Sequence, residues 1–125
     1  MNFTTAGVIL FTQNYEACVD FYGHLLGLEL LHSIDRPGER LTTFKLGDTY
    51  LMVETGGVSS DQPKTVAQNP TKLRFNVRDV AATAKELKTK GITATIHHHS
   101  WGTTAEFTDP DGNPCALRSH DGFGN

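Results

Sequence analysis

Ala6-Gly-Val-Ile-Leu-Phe-Thr12 is a short β-type run, followed by Asn14 and a helix-like segment. It has a counterpart 65 positions on, Thr71-Lys-Leu-Arg-Phe-Asn-Val77, followed by Asp79 and a second helix-like segment. The same shift carries Leu46-Gly-Asp-Thr-Tyr-Leu-Met-Val53 onto Asp111-Gly-Asn-Pro-Cys-Ala-Leu-Arg118. One offset thus registers both ends of two halves, the signature of an internal repeat. The halves share a pattern rather than residues.

Each half reads strand, helix, then three strands. Asn14 is a candidate helix N-cap with Glu16 in the first turn, where the helix dipole favours an acid. Cys18, Phe21, Tyr22, Leu25 and Leu26 follow at amphipathic spacing, and Gly27 ends the helix. In the second half Asp79 caps, Val80, Ala84 and Leu87 form a thinner stripe, and Gly91 closes. Strands are expected over 29–33, 41–45 and 50–54, then 93–98, 103–108 and 115–119. Asp35-Arg-Pro-Gly38 and Asp109-Pro-Asp-Gly112 are turn signals between them. The reading is a single α+β domain over 1–125, with module one at about 5–54, a linker at 55–70 and module two at about 71–119.

Composition narrows the function. The 125 residues suffice for one domain and not two independent ones. A net charge of −3 with no basic stripe argues against nucleic acid as the main partner. The longest apolar run near the start, Ala6 to Phe11, is too short to span a membrane, and no positive segment precedes it, so neither a membrane helix nor a secretory signal is expected. Cys18 and Cys115 lie far apart in patterned segments and read as reduced core thiols of a cytoplasmic protein.

The residues filling the repeat resemble a known family. Asp20-Phe21-Tyr22 with His24-Leu-Leu-Gly27 is similar to the first-helix motif of the vicinal oxygen chelate superfamily of glyoxalases, bleomycin resistance proteins and extradiol dioxygenases. Trp101-Gly102 followed by Phe107-Thr-Asp-Pro-Asp-Gly-Asn-Pro114 resembles its second-half signature, and the likeness runs over about residues 6–119. It implies a fold of two βαβββ modules whose helices cover one face of the sheet while the other curls into a ligand-holding cup. Phe21 and Tyr22 read as core, and Asp109 to Gly112 as a turn; these motifs identify a fold, not a chemistry.

In the resembled family a divalent metal is usually held by the first and last strands of each repeat. The matching positions here are Gly7, Leu51, Lys72 and Ala116, none of which offers the carboxylate or imidazole such a metal needs. No metal or other cofactor is therefore expected. A relocated site at His97 and His99, completed by Glu106 or His120, is the route open to a metal-dependent alternative; a His-rich strand end entering a loop explains the same residues. Glu54 reads as a solvated carboxylate.

Alternation then sorts the cup residues that the resemblance implies. Lys72, Arg74 and Asn76 should face the cup from the fifth strand and Ala116 and Arg118 from the last, while Gly7, Ile9, Phe11, Leu51 and Val53 supply an apolar wall from the first half. Enclosed cations need acidic partners such as Glu106 or Asp121, or a bound anion; hydration at the rim is the other reading. Trp101, the only tryptophan, is placed by the resemblance beside the cleft, where its indole could stack on a planar ligand; packing explains it equally. The candidate ligand-binding residues are thus Lys72, Arg74, Asn76, Trp101 and Arg118, with Phe11 and Leu51 on the apolar wall. The expected function is small-molecule binding without the usual metal, the ligand being anionic or carbonyl-bearing, in a homodimer. The alternative is a metal-dependent lyase, isomerase or dioxygenase of the glyoxalase type.

Overall fold

Val8 and Leu10 alternate with Gly7, Ile9 and Phe11, and in the computed structural model, which describes residues 1–124, this run forms β1 (Gly7–Thr12). It leads into α1 (Tyr15–Asp20), whose first turn is closed by the Cys18 N–H donating to the Asn14 carbonyl at 2.9 Å; the Asn14 side chain makes no capping bond. At Phe21–Leu25 the helix widens to a π turn, the Leu26 N–H donating to the Phe21 carbonyl at 2.8 Å. An extra residue in the turn carries the chain off the α-helical stripe. Cys18, Phe21 and Tyr22 are accordingly buried, while Leu25 and Leu26 are only half-buried.

Three strands complete the first unit: β2 (Leu30–Arg36), β3 (Glu39–Leu46) and β4 (Thr49–Thr55). The sheet order is β1-β4-β3-β2, with β1 parallel to β4 and the other pairs antiparallel. One face lies under the helix: Phe44 packs so closely against it that a Cβ on Gly23 would stand 2.7 Å from the Phe44 ring. Phe44 pairs with Leu51 and Thr42 with Val53, so these four side chains share the helix face. The Tyr15 hydroxyl reaches Thr42 Oγ1 at 2.6 Å on the same side.

The second unit repeats the plan with β5 (Leu73–Val77), α2 (Val80–Thr89), β6 (Thr95–His99), β7 (Gly102–Thr108) and β8 (Pro114–Ser119). Its order is β5-β8-β7-β6, and α2 packs on β7 and β8. Asp79 caps α2 by accepting the Ala82 N–H at 3.0 Å, and Val80, Ala84 and Leu87 are buried beneath it. Asp109 organises the β7–β8 turn, its carboxylate accepting the backbone N–H of Asp111 and Asn113 and the Asn113 side-chain amide, each at 2.9 Å. The units divide at Ser59/Ser60. Residues after 60 strap this turn: Ser60 and Lys64 donate their N–H groups to the carbonyls of Asp111 and Gly112 at 3.0 and 2.9 Å.

Gly23 separates packing from helix propensity. An alanine there would gain about 1 kcal/mol in an exposed helix. Against the buried Phe44 ring, overpacking costs about 1–3 kcal/mol and wins. Gly23→Ala is expected to lower the melting temperature by about 3–6 °C; a rise would show that the helix does not press on Phe44.

Candidate functional site

On the second unit, alternation commits Arg74, Asn76, Ala116 and Arg118 to the face opposite α2. The register aligns Arg74 with Ala116 and Asn76 with Arg118 on one side of β8, and Thr104 with Arg118 and Glu106 with Ala116 on the other. Cys115 and Leu117 point the other way, into the buried core. Arg118 therefore stands mid-sheet, and only 5% of it is exposed.

Its surroundings satisfy the guanidinium without neutralising it. It donates to the Ser119 carbonyl and, at 3.2 Å, to the Trp101 carbonyl. Its central carbon lies over the rings of Trp101 and Phe123, 5.0 Å from each centre. No carboxylate among the described residues pairs with it. Gly102 permits this approach, because a Cβ there would stand 2.9 Å from Ser119 Oγ and 3.5 Å from the Arg118 guanidinium. Trp101 is half exposed, its other neighbour being His99, which stacks on it at 4.4 Å and 3°.

The remaining candidates on this face fare differently. Lys72 is paired with Glu106 at 3.0 Å, so its charge is matched. Arg74 is exposed, has no acidic partner among the described residues, and lies 5.8 Å from the Phe123 ring centre. Asn76 Nδ2 is 3.3 Å from His120 Nδ1. The face thus carries two unmatched guanidinium groups, an indole and a phenyl ring. An anion with an aromatic or apolar body suits such a surface.

The first unit has a groove of about 560 Å³ between α1 and strands β2 and β3, reached by Tyr15, Val19, Leu28, Arg40 and Phe44. Arg40 is its cation, held further above its usual range chiefly by its hydrogen bond to Glu16, with Asp35 adding. Two carboxylates 3.2 Å away already match it. The groove lacks the unmatched charge that Arg118 supplies.

Residues 4–117 match the Glyoxalase/Bleomycin resistance protein/Dioxygenase superfamily. The chain belongs to this superfamily. Among solved structures it is similar to SMU.1112c, at 25% identity and a TM-score of 0.76, covering 93% of this chain and 98% of that one. A glyoxalase family protein from Enterococcus faecalis (23% identity, TM-score 0.70, 94% and 97% covered) has the same fold. So has TnmS3, an antibiotic binding protein from Streptomyces sp. CB03234 (20% identity, TM-score 0.71, 95% and 98% covered). No curated protein matches.

The register corrects one expected site residue. Leu51, expected on the open face with Val53, is fully buried on the helix face beside Phe44. The cause is the length of the preceding hairpin. Leu46 pairs with Thr49 across a two-residue loop, whereas Thr108 pairs with Pro114 across five. The difference is odd, so alternation in β4 runs out of phase with β8 under the 65-residue shift. Tyr50, Met52 and Glu54 take the open face instead, and Met52, opposite Ile9, stands where Ala116 stands opposite Arg74. Phe11 lies on that open face, 52% exposed, with Ile9 beside it.

The superfamily's metal positions are thus Gly7, Met52, Lys72 and Ala116, and they do not fit a divalent ion. None provides a carboxylate or imidazole. A Cβ at Gly7 would stand 2.4 Å from the Tyr50 ring, so the space a ligating side chain needs there is filled. His97 and His99 are 6.2 Å apart between ring centres, and His99 Nε2 is 3.0 Å from Thr104 Oγ1. Among the described residues no three His, Cys, Asp or Glu side chains gather into a metal set. Tyr50 and Phe123 were not marked by the sequence: the first needed the hairpin phase, and the second lies in a segment without a pattern, while His99 was singled out only as part of a relocated metal site.

The corrected register is tested by stability. Leu51→Ala is expected to cost about 2–5 kcal/mol in urea unfolding, and Phe11→Ala about 1 kcal/mol or less. Equal costs would contradict the assignment of faces.

Proposed function

We propose that this chain binds a small, partly apolar anionic molecule on the open face of its second sheet, without the superfamily's usual metal and without turnover. The observation that carries the reading is Arg118, buried mid-sheet over two aromatic rings, with no carboxylate among the described residues to match it. A buried unpaired cation is costly, and a ligand carboxylate or polarised carbonyl would offset that cost. Arg74 adds a second charge and Trp101 a flat surface. With Lys72 matched by Glu106, the net field there still repels a cationic ligand. Binding as a superfamily activity has precedent in TnmS3, an antibiotic binding protein.

The reading extends to assembly and setting. Ile9 and Phe11, 48% and 52% exposed on the first unit's open face, favour a homodimer in which a second chain covers apolar surface. No helix among the described residues is long and apolar enough to cross a membrane; the two buried free thiols, Cys18 and Cys115, favour a reducing, cytoplasmic setting.

Calorimetry with paired ligands tests the charge assignment. Aryl carboxylates are expected to bind and the matching aryl ammonium compounds not to. Arg118→Gln should weaken carboxylate binding by about 1.5–3 kcal/mol, the scale of a charged hydrogen bond. Preference for the ammonium compounds, with Arg118→Gln without effect, would overturn the reading. Chelation should leave the melting temperature unchanged, and a stoichiometric divalent ion in protein purified without a His-tag would return the lyase alternative to the lead.

A further inference from the structure

Phe123 stands in the binding face without belonging to the sheet. Its backbone N–H donates to the His120 carbonyl at 3.0 Å in a turn just past β8, and its ring centre is 6.1 Å from that of His120. Gly122 and Gly124 flank it at φ of 81° and 75°, left-handed conformations that glycine adopts freely, so the ring hangs from two permissive pivots. Both unmatched guanidinium groups, Arg118 and Arg74, lie over this one ring, at 5.0 and 5.8 Å from its centre. The ring is nevertheless 46% exposed, so burial does not lock it there. A phenyl face is a weak substitute for an anion: its quadrupole attracts a cation but carries no charge.

We infer that Phe123 is a resident stand-in for the ligand, seated on the Arg74–Arg118 pair and displaced by a planar aromatic anion. The inference rests on the ligand-binding reading above and narrows its ligand class. The incoming ring takes over the contacts with the guanidinium planes, and its carboxylate supplies the charge that Phe123 lacks. A carboxylate on a saturated, puckered body can supply the charge but not the flat face. Phe123 therefore sets both affinity and selectivity: every ligand must first lift it, and only an aromatic one restores what is lost.

The test titrates 2-naphthoate and cyclohexanecarboxylate into the wild type, Phe123→Ala, Phe123→Leu and Arg118→Gln. The wild type should favour 2-naphthoate. Phe123→Ala should tighten it about fivefold, the worth of about one cation–π contact no longer given up. Phe123→Leu, which keeps bulk without a π face, should also tighten it. In the wild type, saturation with 2-naphthoate should move the Phe123 ring proton resonances toward those of a solvated phenylalanine. If carboxylates bind and Arg118→Gln weakens them, but Phe123→Ala leaves affinity unchanged or lowers it, the stand-in role is overturned while the binding reading survives. If neither carboxylate binds the wild type or either Phe123 variant, both fall together.

Discussion

Each four-stranded sheet has one helix to cover it, and strand alternation turns that into a constraint on every side chain in the unit. Once Phe44, Leu51 and Val53 are committed to the helix face, Tyr50, Met52 and Glu54 have no choice but the other. In the second unit the commitment of Cys115 and Leu117 to the core leaves Arg118 on the open face near the end of β8, a strand flanked on both sides by β5 and β7. Burying the thiol and the leucine turns Ala116 and Arg118 to the opposite face. The placement of that charge follows from the packing of the unit, and the proposed ligand chemistry rests on the charge.

Two cations in the molecule illustrate why position decides function. Arg40 is embraced by Glu16 and Asp35, lies over the Tyr15 ring, and has its charge spent on its neighbours. Arg118 has carbonyl oxygens and π faces around it, which solvate the ion without cancelling it. Lys72 occupies a position where the superfamily usually places a metal ligand, and its pairing with Glu106 turns that place into a closed ion pair. The face carries planar groups and hydrogen-bond donors: the Trp101 and Phe123 rings and the Arg74 and Arg118 guanidinium groups.

The sequence carried the repeat because strand and helix periodicities are local. The 65-residue shift phases β1 with β5, and with them Lys72, Arg74 and Asn76, whereas the face of Arg118 follows from alternation within β8. It failed at β4, where Gly47-Asp48 makes a two-residue hairpin against the five residues 109–113 of the other half; Leu51 fell on the wrong face for that reason alone. The π turn at Phe21–Leu25 was likewise invisible: the apolar spacing there reads as α-helical, and the close approach of Gly23 to Phe44, 21 positions away, shows only in the fold. Phe123 lies in a glycine-rich segment with no periodicity, and only the fold shows which charges it meets.

The central claim, that Arg118 is the anchoring cation for an anionic ligand, is most directly tested by nuclear magnetic resonance of the arginine side-chain Nε–H groups during titration with 2-naphthoate. The account predicts saturable shifts at Arg118 and Arg74 while Arg40 stays in place. Shifts at Arg40 with Arg118 unmoved would place the ligand in the groove beside α1 and contradict the claim.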